Sequence, residues 1–274
     1  MMLETPSEQL NRQGNEYFSR GRYTEAYQCY ARALECDRLS GDRHSLVATL
    51  GNLGNICAVS GRRELAQAYY QEVLELQKIQ GDERGIGTTL ANLGNLRADA
   101  GEWDSARAYY LEALDLMERT GDDTGKAVLF SDLGLVARET GEFDEALRFY
   151  EHSLALMRRT QNEGGMADAW RMIARTYMAR GLYHEALASC RTGLAIAERM
   201  RDELRTGGTW YVMAECHERL GQLQEAAQLL EKVVRIDQTY RLPKLQENTR
   251  RLEALRSRLE AAQPADSIAR NPHA

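Results

Sequence analysis

The chain has 274 residues, 43% hydrophobic and 28% charged, a balance that supports a buried core and excludes a chain too polar to fold. Its net charge of −6 disfavours a nucleic-acid binder, whose phosphate contacts call for a basic surplus. No apolar run approaches the ~20 residues that cross a bilayer, so membrane insertion is not expected; residues 1–9 carry Glu4 and Glu8 and do not read as a secretory signal.

Residues 1–6 read as a disordered N-terminus. From residue 7 to residue 240 the pattern is helical throughout. There are four prolines, Pro6, Pro243, Pro264 and Pro272, with none between the first two. A proline-free stretch of that length predicts helix after helix joined by short turns. The cysteines, Cys29, Cys36, Cys57, Cys190 and Cys216, form no C-x-x-C pair and are odd in number. They read as reduced, mostly buried thiols of a cytoplasmic protein, not as metal ligands or disulfides.

Glycines recur at 21, 61, 101, 141, 181 and 221, a spacing of 40 residues. Five residues after each stands an alanine, Ala26 to Ala226. Nine after each come Tyr30, Tyr70, Tyr110 and Tyr150, then Cys190 and Leu230. Seven before each is a small residue: Gly14, Gly54, Gly94, Gly134, Ala174, Ala214. A second mark, Gly41-Asp42, Gly81-Asp82 and Gly121-Asp122, weakens to Gln161-Asn162 and Arg201-Asp202.

Each unit therefore predicts two helices of about 17 residues, roughly 26 Å long. In the second unit, Asp42 serves as an N-cap, and Leu46, Leu50, Leu53, Gly54 and Cys57 form an apolar side. Gly61 turns the chain, and Leu65, Ala66, Tyr69, Tyr70, Val73 and Leu74 make the next stripe. Gly54 and Ala66 are expected at the closest approach of the two helices, with Tyr70 and Leu74 filling the wedge towards the next unit. One pair cannot bury its own apolar face and a stack can, so the expected fold is all-α, an α-solenoid of six antiparallel helix pairs.

The small residue, turn glycine, alanine and aromatic at these offsets resemble the tetratricopeptide repeat. The 40-residue length, the phrase Asn-Leu-Gly-Asn at 52–55 and 92–95 and the closing Gly-Asp are similar to repeats of the LGN/Pins polarity scaffolds, and more loosely to kinesin light chain. The resemblance implies a right-handed superhelix whose first helices line a concave groove that takes a peptide or a partner helix. It says little of the function by itself.

After Ile236 the pattern breaks. Pro243 marks a helix start, and Leu245, Leu252 and Leu259 stand seven apart among charged residues. Residues 241–262 read as an amphipathic capping helix; a dimerising coiled coil is the alternative, interrupted at Thr249. Residues 263–274 read as a disordered tail.

Little in the chain suggests catalysis. His44, His152, His184, His217 and His273 lack metal spacing. Gly121 to Lys126 is one residue short of a phosphate loop and lacks the following Ser or Thr. No catalytic residue, metal or cofactor is expected.

Helical phase picks out the groove. Counting 100° per residue from Leu50, Asn52 falls near 200° and Asn55 near 140°, opposite the core stripe. Asn15, Asn92 and Asn95 are equivalent, and a ladder of amides suits an extended peptide backbone. The alternative is that these amides bond one another across adjacent units. Further along, Arg138, Arg171 and Arg175 are expected to converge with Asp132 and Asp168 nearby, followed by Tyr211. The arginines suit carboxylates of a partner, or else pair internally with those aspartates. The slots of a chaperone-tail clamp, Asn11, Asn15, Asn52, Thr88 and Asn92, lack its cations, so that ligand is not expected. Nor do residues 241–274 hold the repeated G-protein-binding motifs of the LGN/Pins type.

The expected function is thus a non-catalytic adaptor with a protein or peptide ligand at Asn15, Asn52, Asn55, Asn92, Asn95, Asp132, Arg138, Arg171, Arg175 and Tyr211. Two alternatives stand beside it: a self-assembling scaffold with weak homo-oligomer contacts, and a peptide-responsive regulator. Bacterial regulators of that kind carry an N-terminal effector module, and the first repeat here begins near Ser7.

Overall fold

The computed structural model describes residues 5–262, and among them every regular element is a helix. The first pairs are α1 (Pro6–Ser19) with α2 (Tyr23–Ser40), α3 (Arg43–Val59) with α4 (Arg63–Gln80), and α5 (Glu83–Asp99) with α6 (Trp103–Arg119). Then come α7 (Asp123–Glu139) and α8 (Phe143–Arg159), α9 (Glu163–Ala179) and α10 (Tyr183–Arg199), and α11 (Glu203–Arg219) and α12 (Leu223–Tyr240). A last helix, α13 (Leu245–Ala262), begins two residues beyond Pro243, where it was expected. None of these helices is long and apolar enough to cross a membrane.

The chain forms two compact units, Met1–Val136 and Ala137–Ala274. Within the first, α1 packs on α2, α3 on α4 and α5 on α6, and each pair packs on the next. One core runs through all of them, from Tyr30 and Leu34 through Leu50, Leu53 and Tyr70 to Leu93 and Leu96. Within the second unit, α9–α10 and α11–α12 stack in the same way, and α13 lies on α12. There Leu252 and Leu255 are buried with Ala226, Leu230 and Val233.

Thr5 and Pro6, expected to be disordered, instead start α1: Thr5 accepts from the Glu8 backbone N–H at 3.2 Å, and Glu8 Oε2 accepts from the Thr5 N–H at 2.7 Å. The expected tail, 263–274, and residues 1–4 lie outside the described residues. After α1 the repeated acidic or amide mark caps the first helix of each pair: Asp82 Oδ1 accepts from Gly85 N at 2.9 Å, and Asn162 and Asp202 repeat the bond. The second helices of the pairs have no side-chain cap where a cap is described. From α3 to α11 the residue before each first-helix cap is left-handed, with Gly81 and Gly121 both at φ 68°. Gln161 and Arg201 hold the same conformation at φ 55°, where a side chain is strained.

The atoms nearest a Cβ placed on Gly54 belong to the ring of Tyr70, with Cδ1 at 2.7 Å; Gly14 and Gly94 face Tyr30 and Tyr110 alike. The tyrosine thus lies on bare backbone of its own pair's first helix. Adjacent pairs are joined by buried polar bonds that the periodicity did not announce. Thr49 Oγ1 donates to Asp37 Oδ2 at 2.6 Å, and Thr89 Oγ1 donates to Gln77 Oε1 at 2.8 Å. Asn248 Nδ2 donates to Asp237 Oδ2 at 2.7 Å, tying α13 to α12.

Two stability outcomes follow. Gly94→Leu drives a Cβ into the Tyr110 ring and should cost about 1–3 kcal/mol, lowering the thermal midpoint. Gln161→Gly relieves a left-handed side chain and should gain roughly 0.5–1 kcal/mol in denaturant unfolding.

Candidate functional site

In the first unit the glycine–tyrosine contact sets the neighbouring asparagine. The Tyr30, Tyr70 and Tyr110 hydroxyls donate to Asn15, Asn55 and Asn95 Oδ1 at 2.7, 2.7 and 2.6 Å. Burial pushes the Tyr30 and Tyr70 phenols up to about 12, and that of Tyr110 higher still, so all three are neutral donors. With Oδ1 engaged, each exposed amide has its Nδ2 left, which meets no acceptor among the described residues. These three positions therefore present hydrogen-bond donors.

Asn52 behaves differently. Its Nδ2 donates to Asn11 Oδ1 at 3.1 Å, and Asn11 Nδ2 donates to Thr49 Oγ1 at 2.6 Å, which itself bonds Asp37. That chain runs between adjacent pairs, as the structural alternative for the amides foresaw. Asn55, Asn92 and Asn95 line one cleft of about 280 Å³, floored by Phe18 and Tyr70. Asp132, one repeat on from Asn92, belongs to this unit and adds to the field on the Tyr110 phenol. Burial raises its carboxyl to about 7.

In the second unit the same slot carries different chemistry. Position 175, equivalent to Asn95, is arginine, position 215 is glutamate, and their tyrosines are replaced by Cys190 and Leu230. Arg175 is half-buried and makes no hydrogen bond or ion pair among the described residues. Burial lowers its pKa, Glu215 opposes that, and Arg171 and Arg138 add to the lowering. Glu215 Oε2 is buried with no protein partner.

Arg171 Nη2 pairs with Asp168 Oδ1 at 2.8 Å, and Arg205 Nε pairs with Oδ2 at 3.0 Å, so Asp168 is taken internally. Arg138 pairs with Glu139 at 2.6 Å and touches Met172 Sδ at 3.7 Å. The expected arginines do gather: Arg138 and Arg175 line one cavity, while Arg171, Arg175 and Tyr211 line a second. The first cavity has a volume of about 1070 Å³ and is ringed by six arginines against three glutamates. Sequence reading missed Glu218, Arg251 and Arg258 there. Glu218 accepts from Arg251 at 2.7 Å and from Arg258 at 3.0 Å, and Arg251 lies 5.2 Å from the Tyr211 ring. No periodicity links α13 to the repeats, so no signal pointed to these partners. The five cysteines are free thiols, and the described residues hold no metal-ligating cluster.

The sequence model of the tetratricopeptide repeat matches residues 9–79, 85–159 and 165–239, most of the chain. The chain belongs to the tetratricopeptide repeat family. No curated protein matches it. Among solved structures, these tetratricopeptide repeats are similar to BtubC (BKLC) from P. vanneervenii, with a TM-score of 0.63 and 17% identity over 97% of this chain and 95% of that one. A Rap protein complexed with Competence and Sporulation Factor gives a TM-score of 0.69 at 15% identity, over 96% and 78%. A signal transduction ATPase with a tetratricopeptide repeat sensor from Pyrococcus horikoshii gives 0.73 at 14%, over 91% and 38%. At these identities the likeness is one of fold. Tetratricopeptide repeats are generally non-catalytic interaction scaffolds.

Asp132 offers a test by pH. Its folded pKa of about 7 lies above the ordinary 3.8, so the folded protein binds the extra proton. Stability from this group is full below about pH 4 and falls as the pH rises through 7. Asp132→Asn restores the residue of the two preceding repeats, Asn52 and Asn92. It should flatten that slope and stabilise the protein at pH 8 by roughly 2–4 kcal/mol in denaturant unfolding; an unchanged slope would place the carboxyl in water.

Proposed function

We propose that this tetratricopeptide repeat chain is a non-catalytic adaptor that binds an extended segment of a partner protein on the faces presented by the first helices of its repeats. The observation that carries the reading is the slot shared by Asn15, Asn55, Asn95, Arg175 and Glu215. In the first unit, hydroxyl-oriented amides leave donors for the carbonyls of a peptide backbone. In the second, the uncommitted Arg175 beside a cavity rich in arginine favours carboxylates. The 40-residue unit with its Asn-Leu-Gly-Asn phrase supports a repeat of the LGN/Pins type. Five free, mostly buried thiols fit a reducing compartment such as the cytoplasm. The adaptor reading is preferred to self-assembly because Leu245, Leu252 and Leu259, the heptad seam of a coiled coil, pack into the cluster that holds α12.

Affinity capture with the full chain tests it. Arg175→Glu, and separately Asn55→Ala with Asn95→Ala, should each lower recovery of specific partners at least fivefold while leaving the thermal midpoint within a few degrees. Recovery equal to wild type for both variants defeats the groove assignment.

A further inference from the structure

The second cavity of the second unit, about 440 Å³, differs from its neighbour in being walled mostly by apolar groups. Tyr211 of α11, Val233 and Ile236 of α12, and Leu242 and Pro243 before α13 form its sides. Its volume falls in the ordinary range of ligand sites. Part of the wall is helix backbone without side chains, because Gly207 and Gly208 stand side by side on α11. The slot of Gly208 holds Ala48, Thr88, Val128 and Asp168 in preceding repeats, so only here does it lack a side chain. A Cβ on Gly208 would meet the far end of the flexible Arg171 side chain, with Nη1 at 3.3 Å, so a group entering beside Gly208 pushes that guanidinium aside.

Charge at the rim is one-sided. Arg175 and Lys244 make no ion pair among the described residues; Lys244 instead lies 5.5 Å from the Tyr211 ring. The one lining acid, Asp237, already accepts from Asn248. Asn248, 2% exposed, has its Oδ1 buried with no protein donor, a state that costs about as much as a lost hydrogen bond. Arg175 also lines the larger basic cavity, so a ligand held there has room to continue past it.

We infer that this cavity is a specificity pocket for an internal acidic–apolar pair of a partner polypeptide. The apolar side chain enters between Gly208 and Ile236. The adjacent Asp or Glu carboxylate is held by Arg175 and Lys244. A chain end or a small carboxylate would fill the apolar pocket but leave the larger cavity empty, which favours an internal segment. This inference rests on the groove reading above and adds the requirement for an apolar anchor.

Fluorescein-labelled, C-terminally amidated peptides Gly-Ala-Glu-Leu-Ala-Gly and Gly-Ala-Leu-Glu-Ala-Gly, titrated by anisotropy into the full-length protein, are the probe. At least one should bind, and replacing its Leu by Ala or its Glu by Gln should weaken binding fivefold or more. Gly208→Leu fills the pocket without removing a charge and should weaken binding at least tenfold, with a melting curve confirming the fold. Lys244→Glu, an exposed change, should act in the same direction if Gly208→Leu proves unstable. The pocket assignment is overturned if the Leu-to-Ala peptide binds as well as its parent, or if both protein variants bind like wild type. It is equally overturned if neither peptide binds, or if only N-acetyl-leucine or a peptide ending in a free leucine carboxylate does. Loss of partner capture in Arg175→Glu with none in Gly208→Leu would sink the pocket and leave the groove standing; indifference to both would sink both.

Discussion

The molecule depends on an aromatic ring resting on a stretch of backbone that has no side chain. Where Gly14, Gly54 and Gly94 face Tyr30, Tyr70 and Tyr110, a single methyl would overlap the ring. The contact closes each pair and buries the ring, and at the same time it aims the phenol hydroxyl at the adjacent asparagine. Packing and surface chemistry are therefore coupled: the side chain that fills the interior also fixes which atom of the amide faces outward.

That coupling explains the change of character along the repeats. In the fifth and sixth repeats the glycine becomes Ala174 or Ala214 and the ring becomes Cys190 or Leu230. A small or aliphatic partner tolerates a Cβ across from it, but it offers no hydroxyl. The slot is then free of its amide and holds Arg175, which makes no hydrogen bond or ion pair among the described residues, and Glu215, whose Oε1 lies 3.8 Å from Arg251 Nη1 while Oε2 has no protein partner. In these two repeats the loss of the packing pair goes with the gain of charge on the surface, whereas the fourth repeat keeps Gly134 and Tyr150 with Leu135 in the slot.

Much of this was legible in the residues. The turn glycines, the capping aspartates and the alternation of small and large positions announced helix pairs, because each is a local backbone requirement repeated at a constant interval. Gln161 and Arg201 show how strong that requirement is: both take the left-handed conformation of the glycines they replace. The face carrying Asn55 and Asn95 also followed from helical phase. The partner of each amide did not, since the tyrosine lies 15 residues away on another helix, and only the angle of packing brings hydroxyl and carbonyl within 2.7 Å.

The residues by themselves determined the all-helical repeat, its length, its caps and the positions exposed on each first helix. Those are properties of a chain segment and its immediate neighbours. Tertiary structure decided which of these groups are engaged: Asn52 with Asn11, Arg171 with Asp168, and Arg175 in no hydrogen bond or ion pair among the described residues. It also decided that α13 and the turn before it, outside the repeat, bring Lys244, Asn248 and Arg251 to the cavities. The reason is physical. Hydrogen bonds and ion pairs act over about 3 Å, and the separation of two side chains on different helices is set by how those helices pack rather than by their distance along the chain.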